Sequence, residues 1–179
     1  MKALTTMQAA YWVGRQSAPP LGGMAAHLYA EFDGGELDLA RLRQAVDALY
    51  LRHPLLRLRI TDDGRQTIAP PGPRHTLHLD DWRHADTATL AAALAAKRQA
   101  KSTQLLPLEQ GVPCDISLSL LPEGRSRLHV DLDMIAGDAM SFRLLMEDLT
   151  AFYHQCPPVP SHDAPPAYFD HLAQRDADE

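Results

Sequence analysis

The stretch "HVDLDMIAGDAMSF", residues 129–142, gathers His129, Asp131, Asp133, Asp138 and Ser141 at what reads as a strand-to-helix junction. Carboxylates in such a place can position or shuttle protons. If the strand runs through Met134, its period of two puts His129, Asp131 and Asp133 on the face opposite Leu128, Val130 and Leu132. Gly137 then lets the chain turn. Asp138 falls at or just before the new helix, where free backbone N–H groups and the helix dipole favour negative charge. Asp133 and Asp138 are therefore expected to converge, with Ser141 one helical turn further on and in reach of either acid.

Each of these residues also has a plainer account. Asp138 taken alone is a good helix N-cap. Asp133 could pair with Arg57 or Arg59 and hold its strand to a neighbour. Ser141 has no Ser-His-Asp order around it, so acyl-serine chemistry is not expected. His129 either lies near the site or is a hydrogen-bonded strand histidine. Arg52 and His53 sit at a helix C-terminus, where the dipole favours positive charge. His75 and His78 are an odd number of residues apart on a possible strand, face opposite ways and make a poor metal pair, so no metal site is expected. Tyr11 and Trp12 read as packing residues. Arg98 and Lys101 share the basic face of a helix, either solvated or turned to an acidic partner.

The elements that must hold these groups follow from pattern. Thr5 caps a short helix in "TMQAAYWVGR" that ends near Gly14, with Met7, Ala10 and Tyr11 on one face. "MAAHLYAEF" alternates as a strand with Ala26, Leu28, Ala30 and Phe32 on one side. Leu39, Leu42, Val46 and Leu49 fall at helical spacing behind an Asp38 cap, and Pro54 ends that helix. "LLRLRI", "DDGR" and "QTIA" predict a hairpin. "HTLHLDDW" reads as a short strand, followed by an alanine-rich helix, "DTATLAAALAAKRQAKS", capped by Asp86 or Thr87. Two alternating runs about "PEGR" form a second hairpin, with Ile116, Leu118, Leu120, Leu128, Val130 and Leu132 on one face. A last amphipathic helix buries Leu144, Leu145, Leu149 and Phe152, and "CPPVPSHDAPP" is an extended linker before a short "AYFDHLAQR" helix. Hairpins with helices between them predict an α/β two-layer sandwich on a mixed, largely antiparallel sheet.

With 179 residues and 45% apolar side chains the chain has the material for one compact domain. Lys+Arg 17 against Asp+Glu 23 gives a net charge of −6 with no basic block, which argues against a nucleic-acid partner. Cys114 and Cys156 are far apart and lack zinc-ligand spacing, which fits a reducing cytoplasm better than a disulfide framework. The opening residues have no apolar core or cleavage site of a leader, and no run approaches the length of a membrane span.

At the acidic junction the sequence resembles the condensation domains of nonribosomal peptide synthetases, in particular their heterocyclization branch. The ordinary branch carries HHxxxDG and the heterocyclization branch DxxxxDxxS, which Asp133, Asp138 and Ser141 complete here. "LTTMQAAYWVGR" looks like the family's opening motif, "RHPLLRLRI" like its arginine-histidine motif, and "PPVPSHDAPPAYFDHL" like the proline-rich exit from the N-terminal lobe. The resemblance implies a chloramphenicol-acetyltransferase-like lobe over residues 1–156, with residues 157–179 as exit segment and terminal helix. It further implies catalytic roles for Asp133, Asp138 and Ser141, with His129, Arg57 and Met134 in support. Met134 stands where the ordinary branch has a histidine, so imidazole base chemistry is excluded at that place.

The activity implied joins an acyl or peptidyl thioester on one carrier protein to a Cys, Ser or Thr thioester on another and closes a thiazoline or oxazoline ring, as in siderophore-like biosynthesis. No cofactor is bound directly; the phosphopantetheine arm belongs to the carrier proteins. The resemblance stops where the first of the family's two lobes would stop. Three arrangements therefore stay open: a piece of a larger synthetase, a half-domain with a binding role, or a site completed by a second copy or a separate second lobe.

Overall fold

The structure, a computed structural model, describes residues 1–16, 23–70, 77–155 and 168–170. After β1 (Lys2–Ala3), helix α1 (Thr6–Gln16) begins with a capping box. The Thr5 hydroxyl accepts from the Gln8 N–H at 3.3 Å, and the Gln8 side chain accepts from the Thr5 N–H at 3.0 Å. The helix does not stop at Gly14 but runs on to Gln16, which places Arg15 in its last turn. Its buried residue is Gln8, while Met7 is exposed. Gln8 is turned inward because its side-chain N–H₂ donates to Gln66 and to the Ile135 carbonyl.

Strand β2 (His27–Gly34) leads to α2 (Leu39–Arg52), whose Asp38 cap accepts from the Ala40 and Arg41 N–H groups. Beyond Pro54 a single 3-10 turn gives way to the predicted hairpin, β3 (Leu58–Ile60) and β4 (Arg65–Ile68), paired Leu58 to Ile68. Gly64 supplies the turn's positive φ of 72°. With β1 on its far side, β4 is the centre of a small three-stranded sheet.

Strand β5 (His78–Asp81) is followed by α3 (Thr87–Ser102), capped by Asp86, and then by β6 (Cys114–Leu121), β7 (Arg125–Asp133) and α4 (Ala139–Tyr153). These strands and β2 form the main sheet, in the order β2-β7-β6-β5. Its pairs are antiparallel except β5 with β6, which are parallel because α3 carries the chain back across the sheet. The mixed, largely antiparallel sandwich is the one expected.

Register divides the sheet by chemistry. Leu132 faces Cys114, Val130 faces Ile116 and Leu128 faces Leu118, so one surface is apolar. It packs on Leu42, Val46 and Leu49 of α2 and on Leu145 and Leu149 of α4. Leu144, expected in that stripe, is exposed instead. Asp148, in contrast, is buried on the inward face, where Oδ2 lies 2.7 Å from both Arg52 and His53 at the end of α2. On the opposite surface Glu31, His129, Asp131, Asp115, Ser119 and Asp80 line up, and α3 lies over them. The proline-rich segment of residues 157–167 and most of the last short helix lie outside the described residues.

Candidate functional site

The acidic junction is fastened before any substrate is considered. The Asp133 N–H donates to the Pro113 carbonyl, Met134 N–H to the Ala26 carbonyl, and Ala136 N–H to the Asp133 carbonyl, all within 3.0 Å. These bonds tie the end of β7 to both neighbouring segments. Gly137 then makes the turn into α4 in a space that admits no side chain: a Cβ there would sit 2.9 Å from the Ser141 Cβ and 3.3 Å from a Leu132 methyl. Asp138 caps α4, and its Oδ1 accepts from both the N–H and the hydroxyl of Ser141, each at 2.8 Å. Those bonds hold the exposed Asp138 carboxyl below the usual carboxylate range.

Asp133 has the contrary environment. It is buried, its Oδ1 accepts from the Ile135 N–H at 3.0 Å, and its Oδ2 lies 2.7 Å from the Arg15 guanidinium. Burial pushes the Asp133 carboxyl up, against the Ile135 N–H and the Arg15 charge, which favour the anion. Arg15 also donates to the Leu106 carbonyl. The expected convergence of the two acids is replaced by a division of labour. Ser141 belongs to Asp138, and among the described residues no hydrogen bond joins Asp133 to Asp138 or Ser141.

The partner of Asp133 is thus neither Arg57 nor Arg59. Arg57 is buried and spends its donors on the Tyr50 and Ala69 carbonyls, and Arg59 donates to the Glu109 carbonyl at 2.7 Å. Both lie at or in β3, which belongs to the small sheet, whereas the last turn of α1 reaches the end of β7. Sequence reasoning missed Arg15, although its signal was present in the Gly14-Arg15 that closes the opening motif.

His129 is buried, with Nδ1 2.7 Å from the Tyr29 hydroxyl and Nε2 2.9 Å from the Ser119 hydroxyl. Burial first, and the Lys97 charge second, push this imidazole down to about 4, so it is neutral at physiological pH. Tyr29 donates onward to Glu31 at 2.9 Å and stacks on the imidazole, which makes His129 part of a connected polar layer rather than a group facing substrate. Met134 is half-buried beside the junction. Tyr11 and Trp12 pack against the core as expected. His75 lies outside the described residues. Arg98 is exposed, as on a solvated face, and pairs with Glu31, whereas Lys101 turns to the sheet and pairs with Asp115. Cys114 is a free thiol pushed up to about 12 by burial, which leaves it inert as a nucleophile.

Among the described residues no group of His, Cys, Asp and Glu could hold a metal ion, and no helix is long and apolar enough to cross a membrane. At the junction Asp138 is exposed and Ser141 half-buried, while Asp133 is buried with Arg15.

The sequence pattern of the family described as Condensation domain matches residues 1–178. Phenyloxazoline synthase MbtB of Mycolicibacterium paratuberculosis is 51% identical over 156 residues, which are 86% of this chain and 13% of that protein. Pyochelin synthetase PchE of Pseudomonas aeruginosa is 35% identical over 175 residues, 97% of this chain and 12% of that protein. The rhombohedral crystal form of the EpoB cyclization-docking bidomain from Sorangium cellulosum superimposes with a TM-score of 0.85 at 28% identity, covering 98% of this chain and 35% of that one. The chain therefore spans only a small part of the curated relatives it matches. With its DxxxxDxxS junction on the expected strand and helix, the chain belongs to the condensation-domain family, in the heterocyclization branch, and corresponds to the N-terminal lobe of such a domain.

Proposed function

We propose that residues 1–156 supply the N-terminal wall of a heterocyclization site, with residues 157–179 as the exit toward a second lobe. The substrates are two thioesters on phosphopantetheine arms of carrier proteins, met in a reducing cytoplasm. The amine of a Cys, Ser or Thr residue attacks the upstream acyl thioester and expels the arm's thiol. The side-chain SH or OH then adds to the new amide carbonyl, and loss of water leaves the thiazoline or oxazoline. Both contacts from Ser141 use Oδ1 of Asp138, so Oδ2 is the oxygen available to take the nucleophile's proton and to pass one to the departing hydroxyl. Asp133, clamped by Arg15, positions the junction. The observation that carries this reading is the exposed Asp138, hydrogen-bonded to the half-buried Ser141 at the start of α4, in a junction with the complete heterocyclization pattern.

The test is to co-express the chain with a second lobe of the same branch, or to assay it self-associated, and to follow carrier-bound products by mass spectrometry. The cyclised product is expected from the wild-type pair. Asp138→Ser keeps a good cap but removes the carboxylate, and should accumulate the open-chain amide.

A second reading rests on one observation: both acids already have partners within the chain. On that account they are scaffold, and the lobe is a non-catalytic module that binds carrier proteins or a tailoring enzyme. Full ring closure by Asp138→Ser, or carrier binding without any product from the complete pair, would decide for it.

A further inference from the structure

The polar surface of the main sheet is covered by a helix with none of its residues buried. Apolar burial, which is what holds α2 and α4, is therefore scarce under α3. In its place α3 and the residues after it make a contact to each of the four strands. Lys97 pairs with Asp80 on β5 and touches Ser119 on β6. Lys101 pairs with Asp115 on β6, and Arg98 pairs with Glu31 on β2 at 2.6 Å. Gln104 donates to Asp131 on β7, and His27 bridges Asp131, 2.6 Å from Nδ1, and the Ser102 carbonyl, 3.2 Å from Nε2. The next contact along the chain is the Leu106 carbonyl, which accepts from Arg15, and Arg15 holds Asp133. Leu106 and Leu108 are buried, so this end of the segment is anchored in the core while α3 itself is not.

We propose that α3 and residues 103–106 form an electrostatic strap, which loosens with ionic strength before the rest of the fold and through Asp131 and Arg15 sets how firmly the acidic junction is held. The strap is under internal tension. Lys97 and Lys101 are one helical turn apart with like charge, and burial together with the Lys97 charge pushes the Lys101 ammonium below the usual lysine range. Each lysine is therefore retained by its acid on the sheet and repelled by its neighbour on the helix. The inference stands whether or not the junction is catalytic, because it concerns only what holds Asp133 in place.

Hydrogen–deuterium exchange of the 179-residue chain tests it. Raising NaCl from about 0.01 M to about 1 M shortens the screening length from about 30 Å to about 3 Å. Amides of α3 should then exchange about tenfold faster, and residues 130–137 several-fold faster, at unchanged rates in α2 and α4. Lys101→Met, which keeps the stem and removes the charge, should raise α3 exchange already at low salt and flatten its salt dependence. Exchange of α3 that ignores salt, or that rises only in step with α2 and α4, would overturn the strap. So would a folded Lys101→Met chain that exchanges like the wild type. The wild-type salt series decides the matter alone if that variant does not fold.

Discussion

On one surface of the main sheet Leu118, Val130 and Leu132 meet the leucines of α2 and α4; on the other, Glu31, Asp80 and Asp115 meet Arg98, Lys97 and Lys101 of α3. The first contact is non-directional and scales with area, so any well-packed apolar set of the right volume would serve. The second works only pair by pair, since a buried charge without its partner costs more than the pair contributes. The junction, which belongs to the polar surface, therefore depends on a few named residues.

The sharpest break is at Asp133. Asp133→Ala strands the Arg15 guanidinium against the Leu106 carbonyl and should cost about 3–5 kcal/mol in urea denaturation, whatever its effect on activity. Pairing it with Arg15→Met should recover a large part of that loss; a double variant no more stable than Asp133→Ala would mean that the pair is not the clamp. On the apolar surface Leu118→Ala should cost about 2–5 kcal/mol, and there no second substitution of charge should help.

Acid should separate the surfaces further. The imidazole of His129 lies at about 4 in the fold against 6.5 in the free side chain. Between those values the unfolded chain takes up a proton that the folded chain refuses. Stability present above pH 6.5 is therefore lost as pH falls toward 4, by about 3 kcal/mol from this residue. Asp133, raised by burial, contributes with the opposite sign and only in the carboxylate range. Denaturation of His129→Gln across the same pH range should lack the slope; a slope that survives would mean that His129 is not its source. The smallest effect is expected at the exposed end of the ladder, where Arg98→Gln should leave the denaturation midpoint unchanged at moderate salt.

How much was legible in the sequence varies with the range of the interaction. The Asp38, Asp86 and Asp138 caps, the Gly64 hairpin turn and the β6–β7 pairing are settled by residues a few positions apart, and each was found where the pattern put it. On α4 hydropathy marks Leu144 as core, where it is exposed, and Asp148 as surface, where it is buried because Arg52 and His53 supply its partners. The burial of Gln8 likewise depends on finding Gln66 and the Ile135 carbonyl.

Local chemistry alone determined that Asp138 would cap a helix with Ser141 in reach, that His129, Asp131 and Asp133 would share a surface, and that the junction carries the heterocyclization pattern. Only the tertiary structure decided that Asp133 would be clamped by Arg15, that His129 would be buried neutral, and that Lys97 and Lys101 would turn to the sheet. The physical reason is that a cap or a turn is completed by neighbours in the chain. The partner of a buried charge is chosen instead by which distant element arrives within about 3 Å, and that depends on the packing of the whole lobe.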